Sequence, residues 1–132
     1  MEKYLEKLKT FDKVISEKYN EEKHRVGILG GLSGLAIFQF HYAKLVNNDI
    51  SAKTGASILE NCIEGINNGQ YNHPTYCNGI CGFGWAINYL YKNDFVNLEI
   101  EESLLQIDTF LYKRMLSNIE KEHYDFSEKD FL

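Results

Sequence analysis

Proline is nearly absent from this sequence, and basic residues are outnumbered by acidic ones. The chain of 132 residues has one Pro, three Cys, and 14 Lys and Arg against 19 Asp and Glu. The net charge of −5 disfavours nucleic acid as a partner, because phosphate binding requires a basic face. The odd number of cysteines disfavours a secreted disulfide framework. We therefore expect a cytoplasmic protein that does not bind nucleic acid.

Long apolar runs are also missing. No uninterrupted run reaches the roughly 18 residues that suggest a membrane span, and the opening MEKYLEKLKTFDK lacks the apolar stretch of a signal peptide. The content of hydrophobic residues, 44%, and of aromatic residues, 14%, is nevertheless high enough for a packed core. The length fits one domain over residues 1–132.

The spacing of apolar residues predicts an all-α fold. Residues 31–46 and 79–91 are apolar nearly all round, which is typical of buried helices, whereas residues 2–20, 50–67 and 98–119 have one apolar face each. The expected apolar faces are Tyr4, Leu8, Phe11 and Ile15; Ala52, Ala56, Leu59, Ile63 and Ile66; and Ile100, Leu104, Ile107, Leu111 and Met115. The order predicts helical hairpins in which outer helices alternate with inner ones. We expect Gly69 and Asn97 to cap the second and third outer helices.

An internal repeat marks the start of both inner helices. GLSGL at residues 31–35 matches GICGF at residues 79–83, an offset of 48 residues, which is typical of stacked helix pairs. Glycines three residues apart share a helix face, so their missing side chains allow another backbone to approach. Stacked units need about three repeats to cover their core. The sequence therefore predicts the incomplete, N-terminal part of a larger protein.

Two candidate sites are interpreted as structural. Residues 24–34 resemble a strand leading into a dinucleotide-binding loop, but Leu29 occupies the position of the first Gly in G-x-G-x-x-G. Cys77 and Cys81, with His73, suggest a zinc site, but the Cys-x3-Cys spacing is loose and a fourth ligand is missing. Cys81 matches Ser33 of the first repeat, so we interpret it as a small packing residue. Any further role of Cys77, Cys81 and His73 is left open by the sequence.

Several other polar and aromatic side chains are expected to serve packing. We place Cys62 at the edge of an apolar face and His41 in the core, although His41 could face a central cavity instead. Trp85 and the tyrosines are expected to fill spaces between helices. His24 and His123 have charged neighbours and are expected at the surface.

The second repeat carries the resemblance to a known family. YCNGICGFGWAINYL at residues 76–90 resembles an N-terminal repeat of the lanthionine synthetase C-like proteins, the lanthipeptide cyclases, and GLSGLAIF at residues 31–38 resembles the repeat before it. The most specific part is the C-x-G-x-x-G-x-G-W run. The resemblance implies an α/α toroid of about seven helical hairpins, of which this chain would supply about two. It also implies zinc-dependent thioether formation, in which a Cys thiolate of a precursor peptide adds to a dehydroamino acid.

The chain departs from this family where the chemistry resides. The family holds zinc with two cysteines and a histidine in W-C-x-G and C-H-G motifs of its C-terminal half. Here Trp85 precedes Ala86 and Cys77 precedes Asn78. No catalytic, cofactor-binding or metal-binding residue is therefore carried over, and zinc is expected only in a full-length member.

Three functions remain open from the sequence. The first is the N-terminal segment of a lanthionine synthetase C-like protein, with the precursor peptide or the remainder of the toroid as partner. The second is a non-catalytic helical-repeat module that binds a peptide or protein. A carbohydrate-active toroid is a weaker third, because such enzymes use paired carboxylates and the inner helices contain no Asp or Glu. If the chain stands alone, exposed apolar faces predict self-association.

Overall fold

The part of the chain that the structure describes contains five α-helices. The computed structural model describes residues 1–21, 25–97 and 100–121, apart from the side chains of residues 100–103. The helices are α1 Glu2–Lys18, α2 Leu32–Val46, α3 Asp49–Asn67, α4 Ile80–Lys92 and α5 Ile100–Glu120. No strand occurs in these residues, so the predicted all-α fold is confirmed. None of the described helices is long and apolar enough to cross a membrane.

Local sequence signals explain where the helices end. Asn47 has a φ of 53° and ends α2, and the side chain of Asn48 accepts the Ile50 N–H to begin α3. Gly69 has a φ of 78° and donates its N–H to the Ile66 carbonyl, as expected of a residue that terminates α3. Residues 98 and 99 lie outside the described part, so the prediction that Asn97 caps α5 stays a prediction.

The helices pack as two adjoining pairs. The tightest pair is α2 with α3; α4 lies beside α2, α5 packs on α4, and α1 lies against α2 and α3. The inner helices α2 and α4 contribute seven buried residues each, whereas α1 contributes none. The order of outer and inner helices agrees with the expectation from the sequence. The shared core is formed mainly by Val26, Leu32, Ala36, Phe40, Ile58, Leu59, Ile80, Phe83, Ile87 and Leu90.

The internal repeat is visible in the loops that precede the inner helices. We name residues 25–31 loop 1 and residues 73–79 loop 2. The first two N–H groups of the helix that follows each loop donate to loop carbonyl groups seven residues earlier. These bonds join Leu32 to Arg25, Ser33 to Val26, Ile80 to His73 and Cys81 to Pro74, at 2.8–3.4 Å. These two bonds of loop 2 lie 48 positions after the two bonds of loop 1, so the repeats share this part of their backbone geometry.

The two loops also bind each other. N–H groups of loop 1 donate to carbonyl groups of loop 2 at 3.0–3.3 Å, joining Val26 to Asn78, Ile28 to Tyr76, and Leu29 and Gly30 to Cys77. These bonds satisfy polar backbone groups that would otherwise be left unpaired inside the fold. They hold the starts of α2 and α4 side by side.

The repeated glycines allow these close contacts, as the sequence analysis expected. A Cβ atom on Gly34 would collide with the carbonyl oxygen of Ile28. A Cβ atom on Gly82 would collide with that of Tyr76 and would lie 2.9 Å from the Gly27 Cα. The approaching backbone belongs to the loops, which bend back over the helix starts.

The predicted buried face of α3 is partly wrong. Ala56 is exposed and Ile63 is 39% exposed, whereas the buried residues are Ser51, Gly55, Ile58, Leu59, Cys62 and Gly65. Small residues make this face because aromatic rings lie against them. A Cβ atom on Gly55 would lie 3.0 Å from the Phe40 ring, and one on Gly65 would collide with the Tyr71 ring.

The outermost helices α1 and α5 also differ from their predicted faces. Tyr4 and Phe11 are 70% and 55% exposed, and Met115 is 51% exposed. Each of these helices is covered on one side only, so part of its apolar surface has no neighbour among the described residues. On α1, Leu8 and Ile15 are half-buried as predicted, and on α5 Ile107 is buried with Leu104 and Leu111 half-buried. The side chain of Ile100 lies outside the described part.

A candidate aromatic site on the inner helices

A continuous row of rings runs across the inner helices. We name Tyr76, Trp85, Tyr89, His41 and Phe95 the aromatic strip. Trp85 stacks on Tyr89 with centroids 5.1 Å apart and an interplanar angle of 10°, and Tyr76 meets Trp85 edge-on at 6.1 Å. The Nε2 atom of His41 lies 2.8 Å from the Tyr89 hydroxyl oxygen. The His41 ring meets Phe95 edge-on at 4.8 Å, and the Lys44 ammonium lies 5.4 Å from the Phe95 centroid.

The repeat places these rings together. Trp85 and Tyr89 are four residues apart on α4 and therefore share a face. His41 on α2 is 48 residues before Tyr89, so the two residues hold equivalent positions on neighbouring inner helices. The turn after α4 places Phe95 beside His41. In this turn Asp94 has a φ of 58°, and the Phe95 N–H donates to the Leu90 carbonyl at 2.9 Å.

The strip is open to solvent, contrary to two expectations from the sequence. His41 is exposed and is not a core residue, and Trp85 is 46% exposed instead of filling a space between helices. Both lie on the side of the inner helices that α3 and α5 leave uncovered. Rings that are fixed by their neighbours and exposed on one face suit contacts with apolar or aromatic groups and with cations. Tyr76, one of the tyrosines expected to fill spaces between helices, is half-buried, and Phe95 lies in a turn for which the apolar periodicity gives no signal.

Cys62 is the most buried thiol among the described residues. Its exposed fraction is 0%, so its predicted place at the edge of an apolar face is wrong. Burial raises the pKa of the Cys62 thiol to about 12, and a hydrogen bond with Ser33 opposes this rise. The thiolate is the reactive form, so Cys62 is a packing residue and not a nucleophile.

Cys77, Cys81 and His73 all belong to loop 2 or the start of α4. Cys77 and Cys81 are half-buried and carry free thiols, and Cys81 occupies the position of Ser33 as predicted. The exposed His73 ring pairs through Nδ1 with the Thr75 hydroxyl at 3.1 Å. Within residues 1–21, 25–97 and 100–121 no group of three or more His, Cys, Asp or Glu residues is placed to hold a metal ion. The expectation that this chain holds no zinc stays a prediction. His24 and His123 lie outside the described residues.

The comparisons with known proteins agree with the repeat geometry. The family model described as lanthionine synthetase C-like protein matches residues 22–128, which is most of the chain. Neither a curated protein nor a solved structure is significantly similar to the chain. Members of the matched family are helical toroids, in agreement with the all-helical repeats described above. The chain belongs to the lanthionine synthetase C-like family.

Proposed function

We propose that the chain is the N-terminal segment of a lanthionine synthetase C-like protein of the cytoplasm, acting in lanthipeptide biosynthesis. Its full-length form is then a zinc-dependent cyclase that adds Cys thiols of a precursor peptide to dehydroamino acids. In this proposal the segment builds about two hairpins of the toroid wall and contacts the precursor peptide. The thiol chemistry is assigned to the remainder of the toroid.

The exposed aromatic strip is the observation that supports a peptide-contacting role. Its rings are held by one another and by the His41–Tyr89 hydrogen bond, so little side-chain freedom is lost when a ligand binds. A peptide offers apolar side chains for the Trp85 face and backbone groups for the Tyr89 hydroxyl.

Trp85 makes this proposal directly testable, because it is the single Trp of the chain. A peptide that contains one Cys and one dehydroalanine is titrated against the protein while Trp85 emission and peptide anisotropy are followed. We expect a saturable change in both signals, with no loss of free thiol from the peptide. Tyr89→Ala should weaken binding about tenfold, as expected for the loss of one aromatic contact.

Tyr112→Ala is the matched control, because Tyr112 is 58% exposed on α5, away from the strip. Equal effects of the two substitutions would contradict a peptide contact at the strip. Disappearance of the peptide thiol in the presence of this chain alone would contradict the assignment of the chemistry to another segment.

A non-catalytic helical-repeat module that binds a peptide or protein is the second candidate. It is favoured by the lack of a metal-holding cluster in the described part of the chain. The coding sequence after codon 132 distinguishes the two functions. W-C-x-G and C-H-G motifs in frame support the cyclase segment, whereas a stop codon with no companion gene supports the binding module.

A further inference from the structure

A cavity of about 380 Å³ lies between the end of α3, α4 and α5, built from residues outside the aromatic strip. Its walls are mainly apolar and include Ile63, Ile66, Ile80, Phe83, Ile107 and Phe110. Asn67, Asn72 and Gln106 also line it and are exposed to solvent. These three residues form the amide-bearing part of the lining.

The equivalent junction between α1 and α3 contains a smaller cavity of about 280 Å³, whose lining residues are mainly polar and include Asn20, Asn61, Glu64, Asn68 and Gln70. The Ser51 hydroxyl donates to the Asp12 carboxylate at 2.8 Å, and the Asn61 amide donates to the Asn20 side chain at 3.0 Å. At the second junction, Thr109 stands 48 positions after Asn61 and donates its hydroxyl to Leu105 of its own helix. No hydrogen bond joins α3 to α5 among the described residues. Both junctions therefore contain a cavity, but the cavity at the second junction differs in having mainly apolar walls.

The walls of the cavity favour an apolar occupant over water. Ile80, Phe83, Ile87 and Ile107 are 2–7% exposed and belong to the core, yet they border this space. Protein interiors are close-packed, and atoms that line an unfilled space lose dispersion contacts. Ordered water needs two to four polar partners, and the side chains of these four residues provide none.

We propose that this cavity binds an uncharged, mainly apolar small molecule whose polar end points towards Asn67, Asn72 and Gln106. The volume lies within the range of about 300–1,000 Å³ that is usual for small-molecule sites. None of the described residues lining it carries a charge. A carboxylate or phosphate would lose its hydration there without gaining a partner. Amide groups can instead donate to and accept from a hydroxyl, amine or carbonyl group.

Two fluorescent probes with the same rings test the requirement for an uncharged ligand. N-phenyl-1-naphthylamine is neutral, and 8-anilinonaphthalene-1-sulfonate adds a sulfonate. We expect one neutral probe to bind per chain, and the anionic probe to bind at least about tenfold more weakly. Equal binding of both probes would overturn the proposal, because it would indicate adsorption to exposed apolar faces.

Substitutions that fill the cavity test whether the neutral probe binds there. Ile63 is 39% exposed on its wall, so Ile63→Trp can place the larger ring over the opening. We expect this variant to bind the neutral probe about tenfold more weakly, and Ile50→Trp, at a 73% exposed position at the other end of α3, to bind it normally. Circular dichroism verifies folding, and Gln106→Trp fills the site from α5 should Ile63→Trp fail to fold.

Two results would contradict the proposed binding place or the proposed small-molecule ligand. Unchanged affinity in the folded filling variants would show that the probe binds elsewhere. A loss of probe binding as the protein concentration rises, together with dimer formation, would show that a second copy of the chain closes the cavity.

Discussion

The Nε2 atom of His41 and the hydroxyl oxygen of Tyr89 lie 2.8 Å apart, and the two residues are separated by 48 positions. This separation equals the period of the repeat that begins with GLSGL and GICGF. Residues at the same position of successive repeats therefore touch on neighbouring inner helices. The contact joins α2 to α4 at the aromatic strip, as the bonds between loops 1 and 2 do at the helix starts.

We expect the His41–Tyr89 contact to contribute about 0.5–1 kcal/mol, since hydrogen bonds at exposed positions are worth little more. A double-mutant cycle of His41→Ala and Tyr89→Phe in urea unfolding measures this coupling. Strictly additive effects would show that the two side chains do not interact in solution.

Gly82 is expected to tolerate no side chain. In Gly82→Ala the new methyl group meets the Tyr76 carbonyl oxygen and the backbone of Gly27, neither of which can move independently of the loop. We expect a loss of about 3 kcal/mol in the free energy of unfolding, or failure to fold.

Gly69→Ala is the control for Gly82→Ala. A Cβ atom on Gly69 would have no neighbour within 4 Å, and the only cost arises from its φ of 78°. We expect a loss of about 1 kcal/mol there. Similar losses for both substitutions would contradict the docking of the loops against the helix starts.

Stability should decrease at alkaline pH through Cys62. Its pKa is raised in the folded chain from an ordinary value of 9.0 to about 12, so the unfolded chain gives up this proton first. The protonated Cys62 thiol makes its full contribution to the free energy of unfolding below pH 9, and this contribution is lost as the pH rises from 9 towards 12. The largest slope is about 1.4 kcal/mol per pH unit.

Urea unfolding of the wild type and of Cys62→Ala between pH 8.5 and about 10.5 measures this effect. We expect the variant to be less stable at pH 8.5 and to have the smaller slope, because other alkaline groups are common to both proteins. Equal slopes for the wild type and Cys62→Ala would contradict burial of this thiol.

The open apolar face of α5 should drive self-association of the isolated chain. Leu105, Tyr112, Met115, Leu116 and Ile119 are 37–65% exposed there, and such patches favour association. Sedimentation velocity over a range of concentrations should show association that Leu105→Glu with Met115→Glu abolishes. Ile50→Glu, at an exposed position on α3, should associate like the wild type. A wild-type chain that stays monomeric throughout would contradict the prediction.

Hydrophobic periodicity predicted the helix ends to within two residues, because the apolar spacing is regular; the predicted start of the last helix at residue 98 lies outside the described residues. The 48-residue period of the glycine repeat also predicts the His41–Tyr89 contact, because Tyr89 lies 48 positions after His41. Applied to the helix starts alone, this offset leaves His41 predicted in the core.

The errors share a physical cause. The buried face of α3 consists largely of small residues such as Gly55 and Gly65, which accept the rings of Phe40 and Tyr71. A hydropathy pattern favours larger side chains such as Ile63 and misses such a face. The loops pair through backbone groups, for which side chains give no periodic signal, and Tyr76 could not be placed without them. Phe95 depends in the same way on the backbone of the turn after α4.

The zinc content of the purified chain tests the central claim most directly, namely that this segment contributes toroid wall and peptide contacts while the metal chemistry lies elsewhere. The protein is equilibrated with zinc, freed of excess metal and measured by elemental analysis. We predict far less than one zinc ion per chain. One tightly held zinc per chain, lost in Cys77→Ser or Cys81→Ser, would contradict the account and make Cys77, Cys81 and His73 a metal site.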